Sequence, residues 1–231
     1  MYWLGAQWST FDGVPGQWRA AATGVVVRAA ERDGLRYGSK LVDGELEIEV
    51  IEGSSAERGH FGDGVQIEMI QRGRSFAIRV RDPHAPALAQ FRGIPVYENN
   101  DDWVVEGRFE PFDAPRALTV GSVIEGLTHD EWTSGVVHFE VAGNEFALTA
   151  FGPSDEMSVL FRDATSGVTT AANSRELEIV VLDDGRVRLD FNRAYNMPCA
   201  FTDYSTCPLP PPENMLKLAV EAGEKDPSKG H

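Results

Sequence analysis

An all-β fold, barrel-like or sandwich in kind, follows from three features of the sequence. The dominant apolar period is two, turn dipeptides recur at roughly 8–12-residue spacing, and helix signals are scarce. The clearest case is the stretch from Gln66 to Arg81. Polar and apolar residues alternate up to Ile70, Arg72-Gly73-Arg74 supplies a turn, and Phe76, Ile78 and Val80 then alternate with Ala77, Arg79 and Arg81. That is a hairpin with one buried face. Similar runs lie at Val25–Arg28, Leu46–Ile51, Trp103–Phe109, Leu118–Ser122 and Val136–Val141. They continue at Glu145–Ala150, Met157–Asp163, Leu177–Leu182, Arg186–Asn192 and Leu216–Glu221. Between them stand Arg32-Asp33-Gly34, Asp43-Gly44, Ala142-Gly143-Asn144 and Asp183-Asp184-Gly185, the dipeptide chemistry that tight turns require. The pattern predicts about twelve short strands in one domain. One short helix is expected near His84–Phe91, after the capping Asp82.

No Ser/Gly-rich linker and no internal repeat divides the 231 residues. Residues 1–22 form an aromatic N-terminal segment in which Trp3, Trp8, Trp18 and Phe11 are expected to cover the core. Residues 193–214 read as an ordered Pro-rich loop, because five prolines from Pro198 to Pro212 forbid helix or central strand. Residues 225–231 are expected to fray.

Lys plus Arg total 21 against 36 Asp plus Glu, for a net charge of −15. That balance argues against nucleic-acid or anionic-membrane partners, whose phosphates need a basic surface. No run approaches the roughly 18 apolar residues of a membrane span. The first ten residues lack the basic and apolar regions of a secretory signal. Cys199 and Cys207 are too few for a disulfide framework, so the expected setting is the cytoplasm, with both thiols reduced. The oligomeric state is left open.

The most unusual text runs from Val187 to Asn214. Alternation puts Arg186, Arg188, Asp190 and Asn192 on one strand face, and Val187, Leu189, Phe191 and Arg193 on the other. The chain then enters the long loop, and long ordered loops usually carry function. Arg79, Arg81, Arg162 and Arg193 offer fork-shaped cations suited to carboxylate or phosphate. Asn192, Asn196 and Tyr195 add neutral donors. Asp163 and Asp190 are the candidate acid/base groups. Equally, Arg81-Asp82 and Arg162-Asp163 read as ion pairs bracing strand ends, with Asp190 and Asn192 bonding loop backbone.

Other chemistries have weaker support. Cys199 and Cys207 lack the nearby ligands of a zinc site and read as buried thiols. His129-Asp130-Glu131 and Asp155-Glu156 read as exposed turns. The sequence contains no P-loop, no G-x-G-x-x-G, no G-x-S-x-G elbow and no H-E-x-x-H. No cofactor is indicated, and a divalent metal is possible without any motif for it.

The texts LDFNRAYNMPCAF, YSTCPLPPPEN and AVEAGEK resemble the C-terminal signature of a bacterial family known as domain of unknown function 1684. RGRSFAIRVRDPHAPALAQFRGIPVY resembles its central block, and FRDATSG also fits. The resemblance covers roughly Val65 to Lys225; the first sixty residues match weakly. Where that family usually has Thr-Tyr and a Gly-rich turn, this chain has Thr169-Thr170-Ala171-Ala172-Asn173-Ser174, so a tyrosine expected near Ala171 is absent. The resemblance implies no reaction.

The residues themselves point to a small anionic ligand. The first expectation is a hydrolase of phosphatase type, with Asp190 or Asp163 as base and the arginines on the anion. The alternative is a non-catalytic module that binds or senses a small acidic metabolite. In either case Arg79, Arg81, Arg162, Asp163, Asp190 and Asn192 are expected around one cavity, because strand ends and long loops meet at barrel mouths.

Overall fold

A computed structural model describes residues 1–53, 57–153, 156–182 and 184–229. Strand accounts for 51% of the chain, one helix is present and the sheets are antiparallel, as an all-β fold requires. The contacts separate two compact units, Met1–Phe91 and Arg92–His231, each with its own core. The sequence carries no linker signal at that boundary.

Unit 1 holds β1 (Tyr2–Leu4), β2 (Ser9–Phe11), β3 (Val14–Ala20), β4 (Gly24–Ala29) and β5 (Arg36–Tyr37). It continues with β6 (Lys40–Leu41), β7 (Gly44–Glu49), β8 (Glu57–Phe61), β9 (Val65–Arg72) and β10 (Ser75–Arg81). Six strands pair in the order β1-β10-β9-β8-β5-β6, and four in the order β2-β3-β4-β7. The pleat sends Ile67, Met69, Phe76 and Ile78 from the first sheet, and Trp18, Val25, Val27 and Ile48 from the second, into one core. Two sheets sharing their inner faces form a sandwich. The expected Gln66–Arg81 hairpin is present, with Ser75 opposite Arg72. The aromatic N-terminus is built into both sheets: Trp18 is buried, Tyr2 stacks on Phe11 at 4.4 Å, and Trp3 stays partly exposed. The single helix, α1 (Pro86–Gln90), falls inside the stretch expected for it, with proline at its first turn.

Unit 2 is one eight-stranded sheet. It contains β11 (Val104–Gly121), β12 (Thr128–Val141), β13 (Asn144–Phe151), β14 (Ser158–Phe161) and β15 (Arg175–Glu178). β16 (Val180–Val181), β17 (Arg186–Asp190) and β18 (Tyr195–Asn196) complete it, in the order β16-β17-β11-β12-β13-β14-β15-β18. The sheet curls around Val137, Leu148, Phe161, Leu177, Leu189 and Phe191. It curls far enough for β15 to touch β17, yet those strands do not pair, so the barrel stays open.

Four sequence expectations are corrected. The described residues hold 18 strands, more than the expected dozen: β1, β2, β3, β5, β6, β8 and β18 fall outside the expected runs, most of them too short to show alternation, while Trp103–Phe109 and Leu118–Ser122 are parts of one long strand, β11. Leu216–Glu221 is not a ladder strand. It bends at Lys217 and Leu218 and lies beside the chain after β14, where Leu216 N donates to Arg162 O and Ala164 N to Leu218 O, next to an isolated bridge at Arg162–Met215. His129-Asp130-Glu131 lies within β12, where Asp130 accepts from Thr119 Oγ1 at 2.6 Å. The tail is tied down through Lys229: Lys225 N donates to Pro95 O, Asp226 N to Thr169 O, and the Lys229 ammonium caps the Val168 carbonyl. Gly230 and His231 lie outside the described residues, as do Asp183 of the expected turn and Asp155 of the carboxylate pair.

The C-terminal segment fits only because of Gly223. Its φ is +74°, and a Cβ there would sit 2.4 Å from Ala194 O and 2.8 Å from Phe191 O. Gly223→Ala is therefore expected to lower stability by roughly 2–5 kcal/mol, a left-handed backbone penalty added to overpacking. Urea unfolding of the two proteins measures it.

Candidate functional site

The site begins with the failure of the unit 2 sheet to close. One open edge is β16-β17 and the other is β15-β18. A cleft of about 190 Å³ is lined from both, by Glu178 of β15, Val180 of β16, Arg188 and Asp190 of β17, Arg193 and Tyr195. β17 alternates as the sequence predicts: Val187 and Leu189 are buried, while Arg186 and Arg188 are exposed. Asp190 is the last strand residue, and the chain tightens into a 3-10 turn at Phe191–Arg193. The turn breaks the alternation. Arg193, a candidate anion ligand that alternation puts on the face opposite Arg188 and Asp190, reaches the same cleft as they do and is exposed.

Asp190 is half-buried. Arg188 Nη2 is 3.8 Å from its carboxylate, and Asn192 Nδ2 donates to it at 3.1 Å. Tyr195 hydrogen-bonds Glu176, and its phenol is pushed well above its ordinary pKa, first by burial and then by the Glu176 charge. Ser158 Oγ holds the same Glu176 carboxylate at 2.7 Å. Tyr195 and Glu178 also line a neighbouring groove of about 420 Å³ that carries Glu156 and Glu176. On one side of Tyr195 the cleft balances Arg188 and Arg193 against Glu178 and Asp190, and on the other the charged residues lining the groove are carboxylates alone.

The structure therefore brings together Asp190, Arg193 and Tyr195. The other expected site residues have different surroundings. Asn192 is a clamp: its Nδ2 donates to Asn100 O and its Oδ1 accepts from Asn100 N, both at 3.0 Å. Asn196 pairs with Arg175 in the sheet and donates through Nδ2 to Lys225 O at 2.8 Å. Its Oδ1 is buried with no partner among the described residues, as is Arg162 Nε. Arg162 does not line the cleft; its backbone bonds Asn214 and Leu216. Arg79 and Arg81 belong to unit 1, where both bind Glu68.

Asp163 is enclosed. Its Oδ1 accepts from Thr165 N at 2.7 Å, Thr165 Oγ1 at 2.6 Å and Val220 N at 3.3 Å, and its Oδ2 from Arg175 Nη2 at 2.9 Å. Both partners of this ion pair are fully buried. The expected neighbour pairs Arg81-Asp82 and Arg162-Asp163 are replaced by the cross-strand pairs Arg81–Glu68 and Arg175–Asp163.

Two residues of the cleft, Glu178 and Arg188, are absent from the sequence-derived set. Arg188 carried a signal, since it shares a strand face with Asp190. Glu178 stands two residues before Val180, whose pairing with Arg188 brings it near, and that pairing is not readable from residue type. The Cys199 thiol is hydrogen-bonded to Cys207 and pushed upward by that contact and by burial, which suits an inert thiol rather than a nucleophile. Among the described residues, no group of three or more His, Cys, Asp or Glu side chains is arranged to hold a metal ion, and no helix is long and apolar enough to cross a membrane.

Fold and cleft define a class: an open, curled β-sheet with a charged cleft along its unclosed seam. The chain belongs to the family described as "Protein of unknown function (DUF1684)", whose profile matches residues 89–225. A solution NMR structure of the uncharacterized protein from gene locus rrnAC0354 of Haloarcula marismortui is similar, at 30% identity and a TM-score of 0.51. The similarity covers 62% of this chain and 81% of that one. No curated protein matches.

The two aspartates are separable by experiment. Asp163→Asn is expected to cost about 3–5 kcal/mol, because Arg175 then keeps a buried charge without its counter-ion. Asp190→Asn, at a half-open site, should change stability by less than about 1 kcal/mol. Chemical denaturation of both variants checks the pair. Tyr195 gives a second test. Its raised pKa means that the native state holds the proton more tightly than the unfolded chain. The stability this confers is complete below about pH 10 and is lost as pH rises further. The alkaline loss of stability should be smaller in Tyr195→Phe.

Proposed function

We propose that this protein binds a small acidic metabolite in the seam cleft of unit 2, in the cytoplasm, without needing to turn it over. The observation that carries the reading is the convergence of Arg188, Arg193 and Tyr195 on one small concavity in a chain of net charge −15. Two guanidinium forks are suited to a carboxylate or phosphate. The cytoplasmic setting rests on the low cysteine content.

Hydrolysis of a phosphate ester is the second reading. It is favoured by one feature: Asp190, a candidate general base, lines the same cleft as the arginines. It is weakened by the loss of its other carboxylate, since every oxygen of Asp163 is engaged in holding the fold. A binding module needs no second acid/base group, so the geometry favours binding.

A thermal-shift panel of small carboxylates and phosphate esters tests the proposal. A true ligand at about a hundred times its Kd should raise the melting temperature by roughly 5–10 °C. Arg188→Gln/Arg193→Gln should abolish that shift while remaining folded. A shift that survives in the double variant would remove the cleft from consideration. Turnover of p-nitrophenyl phosphate, lost in Asp190→Asn, would promote the hydrolytic reading instead.

A further inference from the structure

A separate concentration of positive charge lies on the six-stranded sheet of unit 1. Strand register places Glu68 of β9 directly between Arg79 of β10 and Arg58 of β8. The Glu68 side chain is only 5% exposed. It accepts from Arg79 Nη1 at 3.0 Å and from Arg81 through Nε at 3.0 Å and Nη2 at 2.8 Å. Arg58 Nη2 stands 3.5 Å away.

Arginine does not lose its proton in proteins, so three positive charges meet one negative charge. Two are left over. Arg79 registers the excess: after burial, repulsion from Arg81 and Arg72 contributes to lowering its pKa, against the pull of Glu68. The N-terminal amine is lowered too, by burial and by Arg79. Arg79 Nε is buried and finds no acceptor among the described residues. Arg58 and Arg81 are 46% and 49% exposed, so the cluster opens to solvent. A pocket of about 80 Å³ beside it is lined in part by Arg72 and Arg79 and by the carboxylates Glu57 and Glu68, and the exposed Arg58 and Arg81 lie outside that lining.

We propose that Arg58, Arg79 and Arg81 form an oxyanion site in unit 1, independent of the seam cleft, whose preferred occupant is a dianion of the phosphate class. Glu68 holds the three side chains in place and leaves them two charges short of neutrality. A dianion completes the balance; chloride or acetate leaves one charge unmatched. Exposed guanidinium edges supply paired N–H donors for the phosphate oxygens.

The test is calorimetric titration with inorganic phosphate at about pH 8, where the second proton is largely lost. Chloride and acetate at equal ionic strength are the controls. Phosphate should bind, and the monoanions should bind at least about tenfold more weakly. Arg81→Gln and, separately, Arg58→Gln should each weaken phosphate at least about tenfold. Both side chains are half-exposed, so two independent variants guard against a folding defect in one. Arg28→Gln, at an exposed arginine paired with Glu45 on the four-stranded sheet of unit 1, should bind phosphate as the parent does. Equal binding of phosphate and chloride, or full phosphate affinity in both unit 1 variants, would mean that the arginines serve Glu68 alone. Loss of phosphate binding in Arg193→Gln, with Arg81→Gln unaffected, would place the anion in the seam and overturn this assignment.

Discussion

The buried ion pair between Asp163 and Arg175 organises unit 2. Neither partner has access to water, and bare charges in such a place are very costly. Asp163 has both oxygens engaged, and both terminal nitrogens of Arg175 are bonded, its buried Nε having no partner among the described residues. Asp163 gathers Thr165 and the Val220 amide, while Arg175 donates to the carbonyls of Val220 and Ala222. Through those bonds the pair clasps the C-terminal segment against the end of β14 and the start of β15. Asn214 does the same further back: it trades bonds with both backbone groups of Thr149 and donates to Leu160 O. Once β15 is fixed, β18 pairs with it, and Tyr195 takes its place in the cleft.

The open seam follows from the same arrangement. A closed barrel would pair β15 with β17 and fill the space with ladder bonds. Here the C-terminal segment bonds the chain after β14 and the Arg175 side chain at the start of β15, and the strand ends carry charged residues instead of completing a ladder. Such charges are a common protection of sheet edges against pairing with another chain. In this chain they also line the concavity. One set of residues thus keeps the edge soluble and gives the cleft its chemistry.

Much of this was legible in the sequence. The period of two and the turn dipeptides identify the long strands, and Pro86 marks the helix, whose N-cap is Ala85 rather than the expected Asp82, which instead accepts from the His84 amide. The Leu189-to-Lys225 motif identifies the family. What could not be read was long-range pairing. Arg81-Asp82 and Arg162-Asp163 look like ion pairs in one dimension, but adjacent residues on extended chain point to opposite sides. The true partners stand across a ladder, at Glu68, or after a long excursion, at Arg175. Arg193 defeated the alternation rule because a 3-10 turn begins one residue after the strand ends. The unit boundary was hidden because no change of composition marks Phe91–Arg92.

The clasp on residues 214–225 has a consequence for the order in which the chain is made. β11, β12 and β13 pair with sequence neighbours and can form while translation continues. Arg175 cannot be satisfied until Val220 and Ala222 have left the ribosome. A nascent unit 2 therefore waits with a hairpin array formed and an unmatched cation at its centre, and the emergence of residues 214–225 decides when the core closes.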